Sequence, residues 1–262
     1  MERNIKLTLE YDGSEYGGWQ IQKHTKTVQG TLKKNVEKIL KHRINIIGAS
    51  RTDSGVHALG QIANFRTYKN IPLYKLQRAL NGYLPPDIKV IKAEEAPLNF
   101  HARFDSKGKT YVYKIFNRNT SSPFKQKRAW FIPQALDIET LQNALNYFTG
   151  THDFTTFSKI SKDEEINPIR TVDKITTERE KNLISVTITG RSFLRHMIRV
   201  IVATCVKISM GKIPLEAIPR IFAEKNRKSA PFLAPAEGLY LMKVYYNDYP
   251  YQIKSGDLCE LK

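Results

Sequence analysis

Only two cysteines, Cys205 and Cys259, occur in this sequence. One lies inside an apolar stretch and the other near the end, so thiols build neither a disulfide framework nor a four-ligand zinc site. A reducing, cytoplasmic setting is the expectation. Long apolar runs are also missing: the richest segment, 193–210, is interrupted by Arg195, His196, Arg199 and Lys207, which a lipid-facing span would not carry. No membrane span is expected. The first residues enter an alternating pattern at once and show no secretory leader. Equally absent are a Gly-rich phosphate loop, an H-E-x-x-H pair and a nucleophile elbow, which removes support for ATP, NAD and zinc-hydrolase chemistry. The histidines at 24, 42, 57, 101, 152 and 196 show no metal-ligand spacing. No metal and no cofactor are assigned.

Acidic residues are scarce relative to basic ones: 25 Asp+Glu stand against 42 Lys+Arg, a formal charge of +17 over 262 residues. The imbalance is local, with 24 basic and 10 acidic residues in 1–130 and 18 and 15 in the remainder. Such an excess costs self-repulsion, and a phosphate polymer offsets it with a gain from counterion release. Nucleic acid is the leading partner. At 41% hydrophobic and 10% aromatic residues, the chain has enough apolar material to bury a core.

Alternation of Ile5, Leu7, Leu9 and Tyr11 predicts a strand, followed by a helix over Val28–Leu40 behind Thr27 as cap. Strands are predicted at 44–49, 61–67 and 88–95, with a helix over 72–84 between the last two. The second half repeats the order: a strand at 109–117, a helix over 138–148, a hairpin of 171–180 with 183–189, a long helix over 193–210, a shorter one over 214–224, and a strand at 239–246. Asp153 is expected to bond locally. Two ferredoxin-like βαββαβ units of α+β class follow, with antiparallel sheets side by side, helices on one face and a groove between the halves. The expected division is 1–105 for the half with the polar loop, 106–247 for the half that completes the site, and 248–262 for a tail holding Pro250, Gly256 and Cys259.

The polar loop carries the most specific signal. It reads Ser50-Arg51-Thr52-Asp53-Ser54-Gly55-Val56-His57-Ala58-Leu59-Gly60-Gln61. Locally, Asp-Ser-Gly is a turn former, yet a turn leaves the rest of the segment unexplained. Arg51 could hold a partly buried carboxylate ionised, and Gly55 permits close backbone approach to a ligand.

This segment resembles the signature of the tRNA pseudouridine synthase A family, approximately G-R-T-D-A-G-V-H-A-x-G-Q, with Ser50 and Ser54 in place of the usual small residues. Further segments are similar in family order: Tyr11-Asp12-Gly13 with Gly18-Trp19-Gln20; Asn81, Leu84-Pro85 and Asp87-Ile88; Phe100-His101-Ala102-Arg103-Phe104 with Tyr111 and Tyr113; Asp153-Phe154; His196-Met197 with Arg199; and Glu237-Gly238-Leu239-Tyr240-Leu241. The resemblance implies isomerisation of uridine to pseudouridine in the tRNA anticodon arm, at about positions 38 to 40, by a cytoplasmic homodimer without a cofactor. It makes Asp53 the catalytic carboxylate, as nucleophile or as base, with Arg199 as its cation. Tyr111 would stack on the base and relay a proton, and Leu239 and Leu241 would wall the pocket. Arg51, His57 and Gln61 are expected at the substrate, and Arg51, as a loop support or phosphate contact, with Lys33, Lys34, Arg66 and Arg78 on its backbone. The target nucleotide must leave its stack to enter. Two rivals remain: a non-catalytic RNA-binding protein with Tyr111, Tyr113 and Phe116 as its strand aromatics, and a synthase with another RNA target.

Overall fold

The computed structural model describes residues 1–160 and 166–247; the expected tail from 248, Cys259 included, lies outside the described residues. Strand β1 (Arg3–Tyr11) buries Ile5, Leu7, Leu9 and Tyr11 on one face, as their alternation requires. Helix α1 (Val28–Leu40) starts where the Thr27 hydroxyl accepts from the Gly30 amide, and it buries Val28, Leu32, Val36 and Leu40. Its lysines remain on the open side. Next come β2 (Ile47–Gly48), β3 (His57–Thr67), α2 (Leu73–Tyr83) and β4 (Ile88–Ala96). The strand expected at 44–49 shrinks to two residues, and β3 begins four residues before the expected start. His57 therefore belongs, with Gln61, to a strand and not to the polar loop.

The later elements are β5 (Gly108–Asn117), β6 (Trp130–Ile132), α3 (Ile138–Asn146), β7 (Gly150–Asp153), β8 (Ile169–Glu180), β9 (Leu183–Gly190), α4 (Met197–Ser209), α5 (Ala217–Ala223) and β10 (Leu239–Tyr245). The short strands β6 and β7 have no counterpart in the periodicity, because three or four residues are too few to show a period. Helix α4 begins four residues later than its apolar pattern suggests. His196 at its N-cap takes a left-handed φ of 65°, so the preceding residues leave the helix axis. Asp153 bonds locally as expected, accepting from the amide and hydroxyl of Thr155.

All ten strands join one sheet in the order β4-β1-β3-β10-β5-β9-β8-β7, with β2 on β3 and β6 on β5. The fold is α+β, with helices packed on one face of the sheet. Helix α4 is buried over most of its circumference. The sheet is mixed and not wholly antiparallel as expected: β10 meets β3 in parallel through Tyr240–His57 and Leu241–Ala58, and β6 runs parallel to β5. The β3–β10 seam has only two register pairs because the chains approach and then diverge. Among the described residues, no helix is long and apolar enough to cross a membrane.

Gly60 sits at this seam, and a Cβ there would lie 2.2 Å from the Met242 carbonyl oxygen. A rigid backbone neighbour cannot yield as a side chain can. We expect Gly60→Ala to destabilise the fold by about 1–3 kcal/mol through overpacking. Urea unfolding should show a lower midpoint at unchanged slope.

Candidate active site

The loop from Ser50 to Val56 is held from beneath by buried polar contacts. The Gln61 side-chain amide donates to the Ser50 carbonyl at 2.7 Å, and its oxygen accepts from the Ser50 amide at 3.1 Å. Thr52 bonds Tyr11 hydroxyl to hydroxyl at 2.7 Å, and its carbonyl accepts from the Trp19 amide at 3.0 Å. The Ser54 hydroxyl and the Gly55 amide both donate to the Tyr16 carbonyl. Each bond satisfies a group that would otherwise carry a desolvation cost. The loop is consequently a shaped support and not a free connection. Gly18, at φ 90°, packs beneath it so closely that a Cβ would fall 2.6 Å from the Thr52 oxygen and 3.0 Å from the Asp53 carbonyl carbon.

The second half meets this loop from α4, β5 and the segment before β10. Arg199, in the first turn of α4, donates through Nη1 to Asp53 Oδ2 at 3.0 Å, and the two side chains are 11% and 18% exposed. Its Nε donates to the Ala234 carbonyl at 2.8 Å, while the Ala234 amide donates back to the Arg199 carbonyl at 3.2 Å. The guanidinium is thereby fixed on two sides before any ligand arrives. His196 Nε2 lies 3.6 Å from the same Asp53 oxygen. Burial holds the His196 imidazole below its ordinary value in spite of Asp53, so Arg199 is the permanent cation there. The start of α4 adds the positive end of its dipole.

Tyr111 stands on β5, buried, with its hydroxyl 2.5 Å from that of Ser50 and its ring edge-on to Phe193 at 5.4 Å between centroids. Burial, with the Asp53 charge adding to it, pushes its phenol up to about 12, although the Ser50 bond draws it down. It is a neutral donor at physiological pH. Leu241 pairs across the ladder with Tyr111, and Leu239 with Tyr113, so both leucines share the face of Tyr111. That face is where Asp53, Arg199 and Tyr111 come together.

Two residues expected at the substrate lie inside the fold. His57 is 2% exposed, its Nδ1 lies 3.0 Å from Asp12 and its Nε2 3.2 Å from the Glu237 carbonyl, and its ring stacks on Tyr240. Gln61 is wholly buried and engaged with Ser50. Both sit in β3 beneath the loop and brace it. Arg51 is exposed and makes no hydrogen bond or ion pair among the described residues. It does not hold Asp53; Arg199 does. Of the residues expected on a nucleic-acid backbone, Lys33 pairs with Glu37 at 3.8 Å, and Arg66 pairs with Glu2 at 3.6 Å and donates to the Leu98 carbonyl. Lys34 and Arg78 are exposed. Sequence reasoning missed His196 and Phe193 as neighbours of the site. The available signal for His196 was its place three residues before Arg199, at the start of the same helix.

An arginine-paired carboxylate beside a buried tyrosine, in a strongly basic chain, fits an enzyme that acts on a polyanion. Comparison with known proteins makes the class specific: the family described as tRNA pseudouridine synthase matches residues 8–105 and 144–247. The chain belongs to this family. It is 44% identical over 244 residues to tRNA pseudouridine synthase A of Acetivibrio thermocellus, covering 93% of this chain and 100% of that one. It is 43% identical, with the same coverage, to tRNA pseudouridine synthase A of Thermoanaerobacter sp.. It is 41% identical over 249 residues to tRNA pseudouridine synthase A 2 of Clostridium tetani, covering 94% and 100%.

The support beneath the loop yields a test remote from the reacting groups. Gly18→Ala forces a side chain against the backbone of Thr52 and Asp53 at a φ that disfavours it. We expect turnover on tRNA to fall by about a hundredfold, the scale of a 1 Å misplacement, while circular dichroism stays native.

Proposed function

We propose that this chain isomerises uridine to pseudouridine in the anticodon arm of tRNA, at about positions 38 to 40, with Asp53 as the catalytic carboxylate. The observation that carries the reading is the 3.0 Å contact between Asp53 of the first half and Arg199 of the second, on the face that presents Tyr111. In the reaction the N1–C1′ bond breaks, the uracil turns, C5 bonds to C1′, and the proton lost from C5 is balanced by one gained at N1. No external donor enters. An ionised carboxylate serves this either by attacking the nucleoside or by removing a sugar proton. The Arg199 guanidinium donates to the carboxylate and is held in place by Ala234, so no reorganisation is needed during the reaction. The Tyr111 ring offers a surface for the flipped base, and its neutral hydroxyl a route for the C5 proton. Leu241 and Leu239 form the apolar floor beneath it.

The proposal extends to architecture. The strand orders β4-β1-β3-β2 and β10-β5-β9-β8 each follow the fourth-first-third-second arrangement of a ferredoxin-like unit. We read the chain as two such units, 1–105 and 106–247, with the site formed between them. A cytoplasmic homodimer that shares one tRNA completes the reading.

Asp53→Asn should abolish pseudouridine formation, measured by mass spectrometry of tRNA digests, while tRNA binding largely survives. Full activity in that variant would sink the assignment and leave an RNA-binding protein. Arg199→Gln should lower kcat by about 10²–10³-fold, the scale of one lost charge-stabilising donor. Tyr111→Phe keeps the ring and loses the proton route, so kcat should fall by about a hundredfold or more with KM little changed. Mapping modified positions in tRNA treated with the wild-type protein tests the choice of anticodon arm.

A further inference from the structure

Strand β5 carries a cation that the site described above does not use. Lys109 is 9% exposed, and its ammonium group makes no hydrogen bond or ion pair among the described residues. Its register, opposite Gly190 on β9 and two residues before Tyr111, puts it on the same sheet face as Tyr111. Burial, with the neighbouring Arg103 charge adding to it, pushes the ammonium down to about 8. Arg103 is itself exposed, has no anionic partner, and feels the charge of Arg51. Lys109 thus feels the charge of Arg103, and Arg103 that of Arg51, on the side of the sheet that meets the Asp53 loop, and no ion pair among the described residues neutralises the three.

Such a cluster is costly in the free protein: like charges repel, and a buried amine without a partner loses its hydration. The cost is recovered when an anion occupies the space between them. Asp12, by contrast, meets Arg128 at 2.7 Å and His57 at 3.0 Å. Phe104, 74% exposed, lies under the Arg103 guanidinium at 5.6 Å and stacks on His101. It sets an aromatic surface beside the cations, a combination suited to a nucleotide strand.

We propose that Lys109 and Arg103, with Arg51 at the rim, form a phosphodiester-binding site that grips the RNA backbone next to the nucleotide presented to Asp53. The inference rests on the proposed function and adds to it a substrate-binding subsite with a named buried residue. A lysine supplies a point charge at the closed end, and the two guanidinium groups supply directed donors at the open end. Fixing the adjacent phosphate holds the extruded nucleotide in register, which offsets the unstacking cost.

The test uses the full chain and an unmodified tRNA transcript, with binding measured over a range of salt concentrations. Lys109→Met keeps the length of the side chain and removes the charge. It should weaken binding about tenfold, the scale of one charge-assisted bond, and reduce the slope of log Kd against log salt by about 0.7–0.9. Arg103→Gln, at an exposed position that folding does not depend on, should do the same. Lys109→Arg should restore most of the slope. KM should rise in the two neutral variants while single-turnover rate at saturating tRNA changes less. Wild-type affinity and slope in Arg103→Gln and in folded Lys109→Met would overturn the proposal; if Lys109→Met does not fold, the Arg103→Gln result decides. Titration with inorganic phosphate supplies a further arm: tight phosphate binding lost in Lys109→Met, with the tRNA slope unchanged, would mean a free-phosphate site and also overturn it. A wild-type protein that binds tRNA with these contacts yet forms no pseudouridine would instead refute the proposed function.

Discussion

The contact between Asp53 and Arg199 sets the terms for the rest of the molecule. One partner rides on a loop between β2 and β3, the other on a helix 146 residues further along the chain, and neither element alone defines a site. A salt bridge between partly buried groups is favourable only when its geometry is fixed and its remaining donors are satisfied. The protein meets that condition through backbone. Ala234 accepts from Arg199 Nε, and the ladder through β3, β10 and β5 sets the distance between the two halves. A seam of two parallel register pairs suffices because Gly60 lets β3 and β10 come into contact where a side chain would hold them apart.

Beneath Asp53 lies a second layer of polar residues whose work is done out of sight of solvent. Gln61 grips Ser50 by both ends of its amide, Tyr11 grips Thr52, and His57 stacks on Tyr240 below the turn. Apolar side chains in those places would pack as well but would leave the loop's carbonyls and amides unpaired. The cost of burying polar side chains here is the cost of a loop with one conformation. A carboxylate proposed to act on a nucleoside needs such a support.

The cations divide into those that hold the protein together and those that do not. Arg199, Arg128 and Arg3 have carboxylate partners, whereas Arg51, Arg103 and Lys109 have none among the described residues. Stability alone would favour neutral residues at the latter positions, Lys109 above all. Lys109 on the sheet face of Tyr111, with the charges of Arg103 and Arg51 beside it, places part of the excess charge of the first 130 residues at one locus, and a charged polymer binds at places and not to a net charge.

Much was legible in the linear order of residues because it depended on local physics. The alternation of β1, the cap and apolar stripe of α1, the β8–β9 hairpin and the small residues around Asp53 all act over a few positions, and so did the motif that named the family. What required the tertiary structure was everything decided between distant segments. His57 and Gln61, expected at the substrate, lie buried in β3 and brace the loop, and their partners Glu237, Tyr240 and Ser50 are set by the tertiary structure. His196 looked like a helix residue and instead turns the chain at φ 65°, which frees Phe193 to meet Tyr111. The parallel seam, the Arg199–Asp53 distance and the unpartnered Lys109 have no local signature at all: each depends on which strand edges find one another, and that choice is made by the burial of the whole core.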